Sequence, residues 1–350
     1  KKNNKGNTNY LKEIEAAYNN ILNSYVEKVD ESELTNAAIK GMYSYLGDPY
    51  TSYLDKDSTT NLMDRLNGEY KGIGVEITST ESGTMVMTVF DGSPASKAGI
   101  MVGDIITKVA DTDVQNSTPS IVSNLIKSTN GTTTIEVLRG GVYKTLEINV
   151  EKVSIPSVSS NNFDGVGYIK ITTFSNNTYE QFKTALSSLE KENIDSLVID
   201  VRNNGGGFLN AAVDIAELFI EKGKNIYGLE TKEKTEYYKD STKESRKYKV
   251  GILLNSASAS ASEILAAALK ESYGATLLGI TSYGKGTVQE TSELETGGMI
   301  KYTTAYWLTP NGNKINNVGL KPDVEITGDY NDDMDYESDT QLLTAIKNMK

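Results

Sequence analysis

The spacing of hydrophobic and polar residues changes along the chain, and three successive patterns predict its organisation. Residues 1–67 are predicted to be a helical region, because apolar positions recur there every three or four residues. Residues 68–153 have the alternation of short strands, interrupted by glycine and proline turns. Residues 154–327 alternate between apolar strands and amphipathic helices, which is typical of an α/β domain. An acidic linker and a terminal helix are predicted for residues 328–350.

A glycine-rich loop follows one buried strand of the α/β region. The strand is predicted at residues 196–201, the loop RNNGGG occupies residues 202–207, and a helix begins at residue 209. This order directs backbone N–H groups at an anion or an oxyanion. The loop lacks the G-x-G-x-x-G spacing of a dinucleotide site, so a Rossmann interpretation is rejected. The alternative is a loop that needs glycine only for close packing.

Residues 250–290 contain a second strand-to-helix connection. A buried apolar strand leads into alternating Ser and Ala, a helix begins near Ser260, and a later turn holds Lys285 between two glycines. Enzymes present nucleophilic serines at such turns, because helix N–H groups stabilise developing negative charge. Ser258 and Ser262 are competing candidates, and the S-x-x-E pattern at Ser260 is also that of a helix capping box. The residue pattern alone leaves these alternatives open.

The composition restricts the chemistry further. None of the 350 residues is His or Cys, which excludes a Ser–His–Asp triad, a cysteine nucleophile and zinc sites built from imidazole or thiolate. A hydrolase with a side-chain base must therefore use Lys, Tyr or a carboxylate, and no metal or other cofactor is predicted. The net charge of −12 argues against nucleic acid as a partner, and no apolar run is long enough to span a membrane.

Two familiar motifs fail at specific positions. The sequence from Gly279 to Lys285 resembles a phosphate-binding P-loop, but Gly286 stands where Ser or Thr would bind magnesium. A strand pattern also follows this turn where a P-loop requires a helix, so ATP binding is not expected. Residues 329–333 have the acidic spacing of a calcium loop but lack its Gly and its final Glu, which predicts a solvated linker.

The strand-rich region resembles a PDZ domain. The segments GIGV, SPASKAGI and VGDIITKVAD occur in the order in which that family has them. PDZ domains bind an extended peptide C-terminus beside a strand and hold its carboxylate with loop N–H groups. The resemblance assigns that role to Gly72, Ile73, Gly74 and Val75. The alternative is a β-rich domain whose glycines only form turns.

Nearly the whole chain is similar to the carboxyl-terminal processing proteases, which are tail-specific serine peptidases. The similar segments are, in order, AIKGMYSYLGDPYTSYL, the PDZ segments, DVRNNGGGFLNAAVDIAELFI, SASASEILAAALK, GITSYGKGTVQ and NKINNVGLKPDVEI. The resemblance implies a multidomain α/β fold: a ClpP- and crotonase-like ββα protease core, an inserted PDZ domain, and helical arms at both ends.

The same resemblance assigns the catalytic residues. In the family the nucleophile is the middle serine of SASASE and the base is the lysine of GKGTVQ, twenty-five residues later, and Ser260 and Lys285 have this separation. Gln289 matches a glutamine that orients the lysine, and the backbone N–H groups of Ala261 and Gly206 are expected to form the oxyanion hole. A lysine that acts as a base near neutral pH needs an apolar surrounding, because burial disfavours the ammonium form.

Two positions qualify the resemblance. The family often has Pro before the last two glycines of the RNNGGG loop, where this chain has Gly205. Arg139 matches a position that some relatives use to couple the PDZ domain to the protease core. Whether the PDZ domain gates cleavage is left open by the sequence.

The function predicted from these features is that of a Ser–Lys endopeptidase that recognises substrate tails. The predicted partners are proteins or peptides with free, apolar C-termini, and a second copy of the chain in a homodimer. An extracytoplasmic location is expected from the family, with a signal or anchor segment that this chain does not contain. The alternatives are an inactive PDZ scaffold and a crotonase-like acyl-transfer enzyme.

Overall fold

The fold is that of a computed structural model, which describes residues 7–295, 297–331 and 336–350. The chain divides into two compact units. The smaller unit contains the chain up to Leu62 together with Thr287–Ala305, and the larger unit contains Met63–Gly286 and Tyr306–Lys350. The first six residues of the polar leader and Asp333 of the calcium-like segment lie outside the described residues.

The smaller unit begins with two helices and a short strand. Helix α1 spans Asn7–Ser24, helix α2 spans Glu31–Ser44 and strand β1 spans Ser52–Leu54. Asp30 begins α2, because its carboxylate accepts a hydrogen bond of 3.0 Å from the Glu33 N–H. Strand β1 pairs antiparallel with the first residues of the strand Met299–Leu308.

The PDZ-like region is an antiparallel sheet with two short helices. Its elements follow α3 (Lys56–Asn67) in the order β2 (Glu69–Gly72), β3 (Val75–Thr80), β4 (Gly83–Val89), α4 (Pro94–Ala98), β5 (Ile105–Val109), β6 (Thr112–Asp113), α5 (Pro119–Ser128), β7 (Gly131–Arg139) and β8 (Val142–Ser154). The strand order is β2-β8-β7-β5-β4-β3, with β6 paired to β5, so β3 lies at an edge. The buried core of this sheet includes Val86, Ile106, Ile135 and Val137.

The segment SPASKAGI folds as its turn residues predict. The Ser93 hydroxyl accepts a hydrogen bond of 3.2 Å from the Ser96 N–H, and Pro94 occupies the first turn of α4. Gly99 ends the helix in the left-handed conformation, with φ +84°. These three positions set the short helix that precedes the VGDIITKVAD strand.

The remaining elements are the strands and helices of the larger unit, together with two strands that lie wholly or mostly in the smaller unit. In chain order they are β9 (Val158–Phe163), β10 (Val166–Ile171), α6 (Thr178–Lys191), β11 (Ser196–Asp200), α7 (Leu209–Glu217), β12 (Asn225–Glu230), β13 (Thr235–Lys239), β14 (Lys249–Leu254), α8 (Ala261–Ala268), a π-helical turn (Leu269–Tyr273), β15 (Thr276–Gly279), β16 (Thr287–Glu293), β17 (Met299–Leu308), β18 (Val324–Glu325) and α9 (Thr340–Met349). In the larger unit one sheet has the order β18-β15-β14-β11-β10-β9.

The central strands of this sheet are parallel and buried. Every residue of β11 is buried, which explains why the middle of the strand, residues 197–199, is apolar without alternation. Strands β11 and β14 are neighbours, with Asp200 opposite Leu253 near their carboxyl ends. The glycine-rich loop after β11 and the serine-rich loop after β14 therefore emerge at the same edge of the sheet.

A buried ionic cluster joins helix α9 to the start of the glycine-rich loop. The Arg202 guanidinium is 1% exposed and donates to Asp200 and to Asp339, each at 2.7 Å from Nη2. Its Nη1 donates to the Gln341 side chain at 2.9 Å, and the Tyr168 hydroxyl donates to Asp200 at 2.8 Å. Helix α9 thus packs on the sheet of its own unit through this cluster and through its apolar face: Leu342, Ala345, Ile346 and Met349.

We expect Asp339→Asn to lower the free energy of unfolding by about 2 kcal/mol, because a buried guanidinium loses one charged partner. Asn keeps the oxygen that caps α9 by accepting from the Leu342 N–H. Lys270→Ala is the control, because its ion pair with Asp323 is partly exposed and should contribute less than about 1 kcal/mol. Urea unfolding of both variants measures the difference, and equal losses would contradict the special role of the buried cluster.

Candidate active site

The two loops at the edge of the sheet are joined by hydrogen bonds. The Ala259 N–H donates to the Asn204 carbonyl at 3.0 Å, and the Ser262 hydroxyl donates to the same oxygen at 2.8 Å. The Ser258 hydroxyl donates to the Val201 carbonyl at 2.7 Å. The start of helix α8 is therefore held against the glycine-rich loop.

These hydrogen bonds distinguish the three candidate serines. Ser258 and Ser262 are buried, and their hydroxyls bind backbone carbonyls. Ser260 is partly exposed and has φ +56° and ψ −115°, which is a rare conformation for a residue with a side chain. A strained serine between a strand and a helix is the geometry in which hydrolases expose a nucleophile.

Gly206 lies directly against this serine. A Cβ atom at Gly206 would be 2.9 Å from the Ser260 Cβ and 3.1 Å from the Ala261 nitrogen. Ala261 is the first residue of α8, so its N–H has no acceptor within the helix. The Gly206 N–H donates to the Asn204 side chain at 2.9 Å, so it would have to leave that amide to serve an oxyanion. The oxyanion role of Gly206 and Ala261 stays a prediction.

The turn of Lys285 is fixed by close backbone contacts. A Cβ atom at Gly284 would be 2.8 Å from the Gly319 nitrogen, and one at Gly286 would be 2.7 Å from the Asn316 nitrogen. The Trp307 indole N–H donates to the Lys285 carbonyl at 2.8 Å. Both glycines beside the lysine are therefore required by packing against residues 316–319, which belong to the NKINNVGLKPDVEI segment.

A buried carboxylate links the serine turn to the lysine turn. One Glu263 oxygen accepts from the Ser260 N–H at 2.9 Å and from the Lys285 N–H at 3.0 Å. The other accepts from the Gly284 N–H at 2.7 Å and from the Ser282 hydroxyl. Glu263 is 1% exposed. Burial raises the pKa of its carboxyl above the ordinary value, and these four donors limit the rise because they stabilise the ionised form.

The sequence predicts only one of the four hydrogen bonds that Glu263 accepts. The S-x-x-E pattern predicts the contact between Glu263 and the Ser260 N–H, which is a capping-box hydrogen bond. The contacts to Ser282, Gly284 and Lys285 connect positions about twenty residues apart, and no local pattern predicts them. The S-x-x-E pattern was the signal that the sequence offered, because the burial of Glu263 and its approach to the Gly-Lys-Gly turn are tertiary features.

Gln289 belongs to the smaller unit, on β16. Its side-chain nitrogen donates to the Thr287 hydroxyl at 2.9 Å and to the Thr303 hydroxyl at 3.1 Å. The Thr303 hydroxyl in turn donates to the Asp48 carboxylate. These contacts hold the amide of Gln289 in one orientation within its unit, and its role toward Lys285 stays a prediction.

Arg139 is held inside the PDZ-like region. Its guanidinium donates to both carboxylate oxygens of Asp104 at 2.6 Å and to the Gly99 carbonyl at 2.7 Å. Asp104 is completely buried. In this structure Arg139 therefore ties the end of β7 to the loop before β5, and its coupling to the protease core stays a prediction.

No cluster of acidic side chains among residues 7–295, 297–331 and 336–350 has the geometry to bind a metal ion. Within the same ranges, no helix combines the length and the apolar character that a membrane crossing requires.

Comparison with known families finds matches to three regions of the chain. Residues 165–326 match Peptidase family S41, residues 72–150 match the PDZ domain, and residues 1–58 match the N-terminal domain of the activating protease CtpB. The chain thus belongs to the S41 serine peptidases that carry a PDZ domain, and the predicted family resemblance is confirmed.

Individual relatives agree with this assignment. A protein named Probable CtpA-like serine protease, from Staphylococcus aureus (strain COL), is 38% identical over 327 residues, which are 92% of this chain and 66% of the relative. Its namesake from Staphylococcus haemolyticus (strain JCSC1435) is 37% identical over 90% of this chain and 64% of the relative. The chain therefore spans about two thirds of the length of these relatives.

A solved structure supports the same fold. The photosystem II D1 C-terminal processing protease is 28% identical, with a TM-score of 0.54 over 91% of this chain and 86% of that one. The fold of the chain is accordingly a mixed α/β arrangement of a PDZ domain and an S41 domain.

We expect Gly206→Ala to lower the free energy of unfolding by about 1–3 kcal/mol, because φ is +105° there and the new methyl group would collide with Ser260. Gly205→Ala is the matched control. No atom lies within 4 Å of a Cβ at Gly205, and its φ is not positive, so the change should stay within about 0.5 kcal/mol. Urea unfolding of both variants measures the contrast. A loss at Gly205 equal to that at Gly206 would refute the close approach.

Proposed function

We propose that the chain is a serine endopeptidase that cleaves protein substrates through a Ser260–Lys285 dyad. The observation that carries the proposal is the position of Ser260. Of the three candidate serines it is the one that is partly exposed. It has a strained backbone, and one carboxylate oxygen of Glu263 accepts from both its N–H and the N–H of Lys285. Membership of family S41 supports the same assignment.

The proposed reaction has two stages. Neutral Lys285 takes the proton of the Ser260 hydroxyl, and the serine oxygen attacks the scissile carbonyl carbon. The resulting oxyanion accepts a hydrogen bond from the Ala261 N–H, with Gly206 as the second predicted donor. Lys285 then protonates the leaving amine, and water hydrolyses the acyl-enzyme to regenerate Ser260.

Glu263 has a positioning role in this proposal. Its carboxylate does not accept a proton from the nucleophile, because both of its oxygens already accept from backbone N–H groups and from Ser282. It fixes the backbone of the nucleophile relative to the backbone of the base. Such preorganisation lowers the cost of reaching the reactive geometry.

The wider proposal concerns substrates and assembly. The PDZ domain is proposed to bind the free C-terminus of a substrate at Gly72–Val75, so that apolar tails are preferred. Exposed apolar residues on α1, including Leu11 and Ile14, support a homodimer through this region. An extracytoplasmic location and a ClpP- and crotonase-like core are proposed on the family resemblance.

We expect Ser260→Ala and Lys285→Ala each to reduce cleavage of an unfolded protein by about 10⁴-fold or more while the fold is kept, because each removes one member of the dyad. Ser256→Ala, an exposed position four residues before Ser260, is the control and should retain activity. Cleavage is measured on gels, together with fluorophosphonate labelling and mass spectrometry of the labelled peptide.

The outcomes also separate the alternatives. Substantial cleavage by Lys285→Ala would refute the dyad. A folded wild-type chain that neither reacts with the fluorophosphonate nor cleaves protein would be the inactive PDZ scaffold. Labelling of Ser260 with transfer of an acyl group from a thioester, and no proteolysis, would favour the crotonase-like enzyme.

We expect Glu263→Gln to lower kcat by about 100-fold with a smaller change in KM, because the amide nitrogen cannot accept from the two donors that face the replaced oxygen. Glu190→Gln is the matched control, since Glu190 pairs with Arg246 in a different ion pair. Steady-state cleavage of a fluorogenic peptide measures both constants. An unchanged kcat in a folded Glu263→Gln variant would remove the positioning role.

A further inference from the structure

The edge strand of the PDZ domain has at Val75 a residue whose backbone groups point away from the neighbouring strand. The Gly74 carbonyl accepts from the Phe90 N–H at 2.9 Å, so Gly74 faces the neighbouring strand β4. Successive residues of a strand direct their backbone groups to opposite sides, and Val75 therefore faces the open edge. A peptide that added to β3 would begin its pairing there.

The Tyr70 hydroxyl occupies this position. The Val75 N–H donates to the Tyr70 oxygen at 3.2 Å, and the Tyr70 hydroxyl lies 3.4 Å from the Val75 carbonyl oxygen, to which it donates. The ring packs over Gly72, two residues later, since a Cβ atom at Gly72 would lie 2.4 Å from a carbon of the Tyr70 ring. Because Gly72 has no side chain, the Tyr70 ring can lie there and its hydroxyl reaches the loop.

The chemistry of the phenol supports the contact. Burial raises the pKa of the Tyr70 hydroxyl. The Val75 N–H, which donates to the phenol oxygen, and the nearby Gly74 N–H oppose that rise. These are two of the N–H groups that the PDZ resemblance assigns to the carboxylate of a bound tail. The phenol oxygen therefore stands where one carboxylate oxygen would bind.

We propose that the Tyr70 hydroxyl is a displaceable occupant of the tail-carboxylate site and sets the affinity with which a C-terminus binds. This inference rests on the proposed tail recognition by the PDZ domain. An ionised carboxylate accepts stronger hydrogen bonds than a neutral phenol, so a free C-terminus can displace Tyr70, whereas a neutral chain end competes less well. Tyr70 thus lowers the affinity for any chain end, and it lowers the affinity for a neutral end more than that for a free C-terminus.

The charges around the site are compatible with an anionic ligand. Lys127 lies 6.0 Å from the centre of the Tyr70 ring and pairs with Asp64 at 3.7 Å. Lys71 donates to the Asn130 side chain at 2.8 Å. Glu76 is the nearby acidic residue that opposes ionisation of the phenol. One lysine therefore lies near the Tyr70 ring, and a second belongs to the strand that leads into the loop.

The test is Tyr70→Phe, which keeps the ring over Gly72 and removes only the hydroxyl. Both this variant and wild type carry Ser260→Ala, so that the peptide is not cleaved. A fluorescent peptide with an apolar C-terminus, as free acid and as amide, is titrated into the full chain. We expect Tyr70→Phe to bind the free acid about fivefold more tightly, because the tail no longer displaces a hydrogen bond.

Tyr143→Phe is the matched control, because Tyr143 is exposed in the hairpin between β7 and β8 of the same domain. Its affinity for the peptide should equal that of wild type. An equal or weaker affinity of Tyr70→Phe would overturn the inference, since the hydroxyl would then be neutral or a direct contact of the tail.

A second measurement separates this inference from the proposed function. Without peptide, hydrogen exchange of the Val75 amide should be faster in Tyr70→Phe than in wild type, and equal rates would overturn the contact itself. If neither chain prefers the free acid to the amide, tail-carboxylate capture by the PDZ domain fails. A faster Val75 exchange in that case would leave Tyr70 as a structural contact of the loop and would overturn its role in affinity.

Discussion

The geometry of the candidate site depends on one buried carboxylate. Glu263 receives four hydrogen bonds, from the turn of Ser260 and from the turn of Lys285. A buried carboxylate is costly to desolvate, and it is tolerated here because every oxygen is surrounded by donors. The strand-to-helix loop and the Gly-Lys-Gly turn are therefore not independent elements: a shift of either one would leave the carboxylate partly unsatisfied.

The same edge of the sheet contains a second ionic constraint. Arg202 begins the glycine-rich loop and is held between Asp200 and Asp339, so the last helix of the chain stabilises the loop that lies against Ser260. Close backbone contacts complete the arrangement, since Gly206 touches the serine turn and Gly284 touches the segment before Leu320. Hydrogen bonds to buried polar groups and close backbone contacts at the glycines thus position these loops.

In the PDZ domain, too, backbone groups of the loop are hydrogen bonded within the domain. Its loop carbonyls bind within the domain, whereas the Val75 N–H at the edge strand is covered by the hydroxyl of Tyr70. The ion pair between partly exposed Arg139 and buried Asp104 ties the end of β7 to the loop before β5. The region thus has a buried apolar core, and the backbone groups of Val75 at its edge strand are hydrogen bonded to Tyr70.

The amino-acid sequence alone determined several features of this protein. The spacing of hydrophobic residues and the turn residues predicted the order of the regions and the helix start at Ser260. The absence of His and Cys restricted a side-chain base to Lys, Tyr or a carboxylate. Local patterns could not choose among Ser258, Ser260 and Ser262, because burial depends on the neighbouring loop. Local patterns also could not predict the hydrogen bond from the Lys285 N–H to Glu263 or the one from the Val75 N–H to Tyr70. Those contacts join separate turns and strands, so only the tertiary structure decided them.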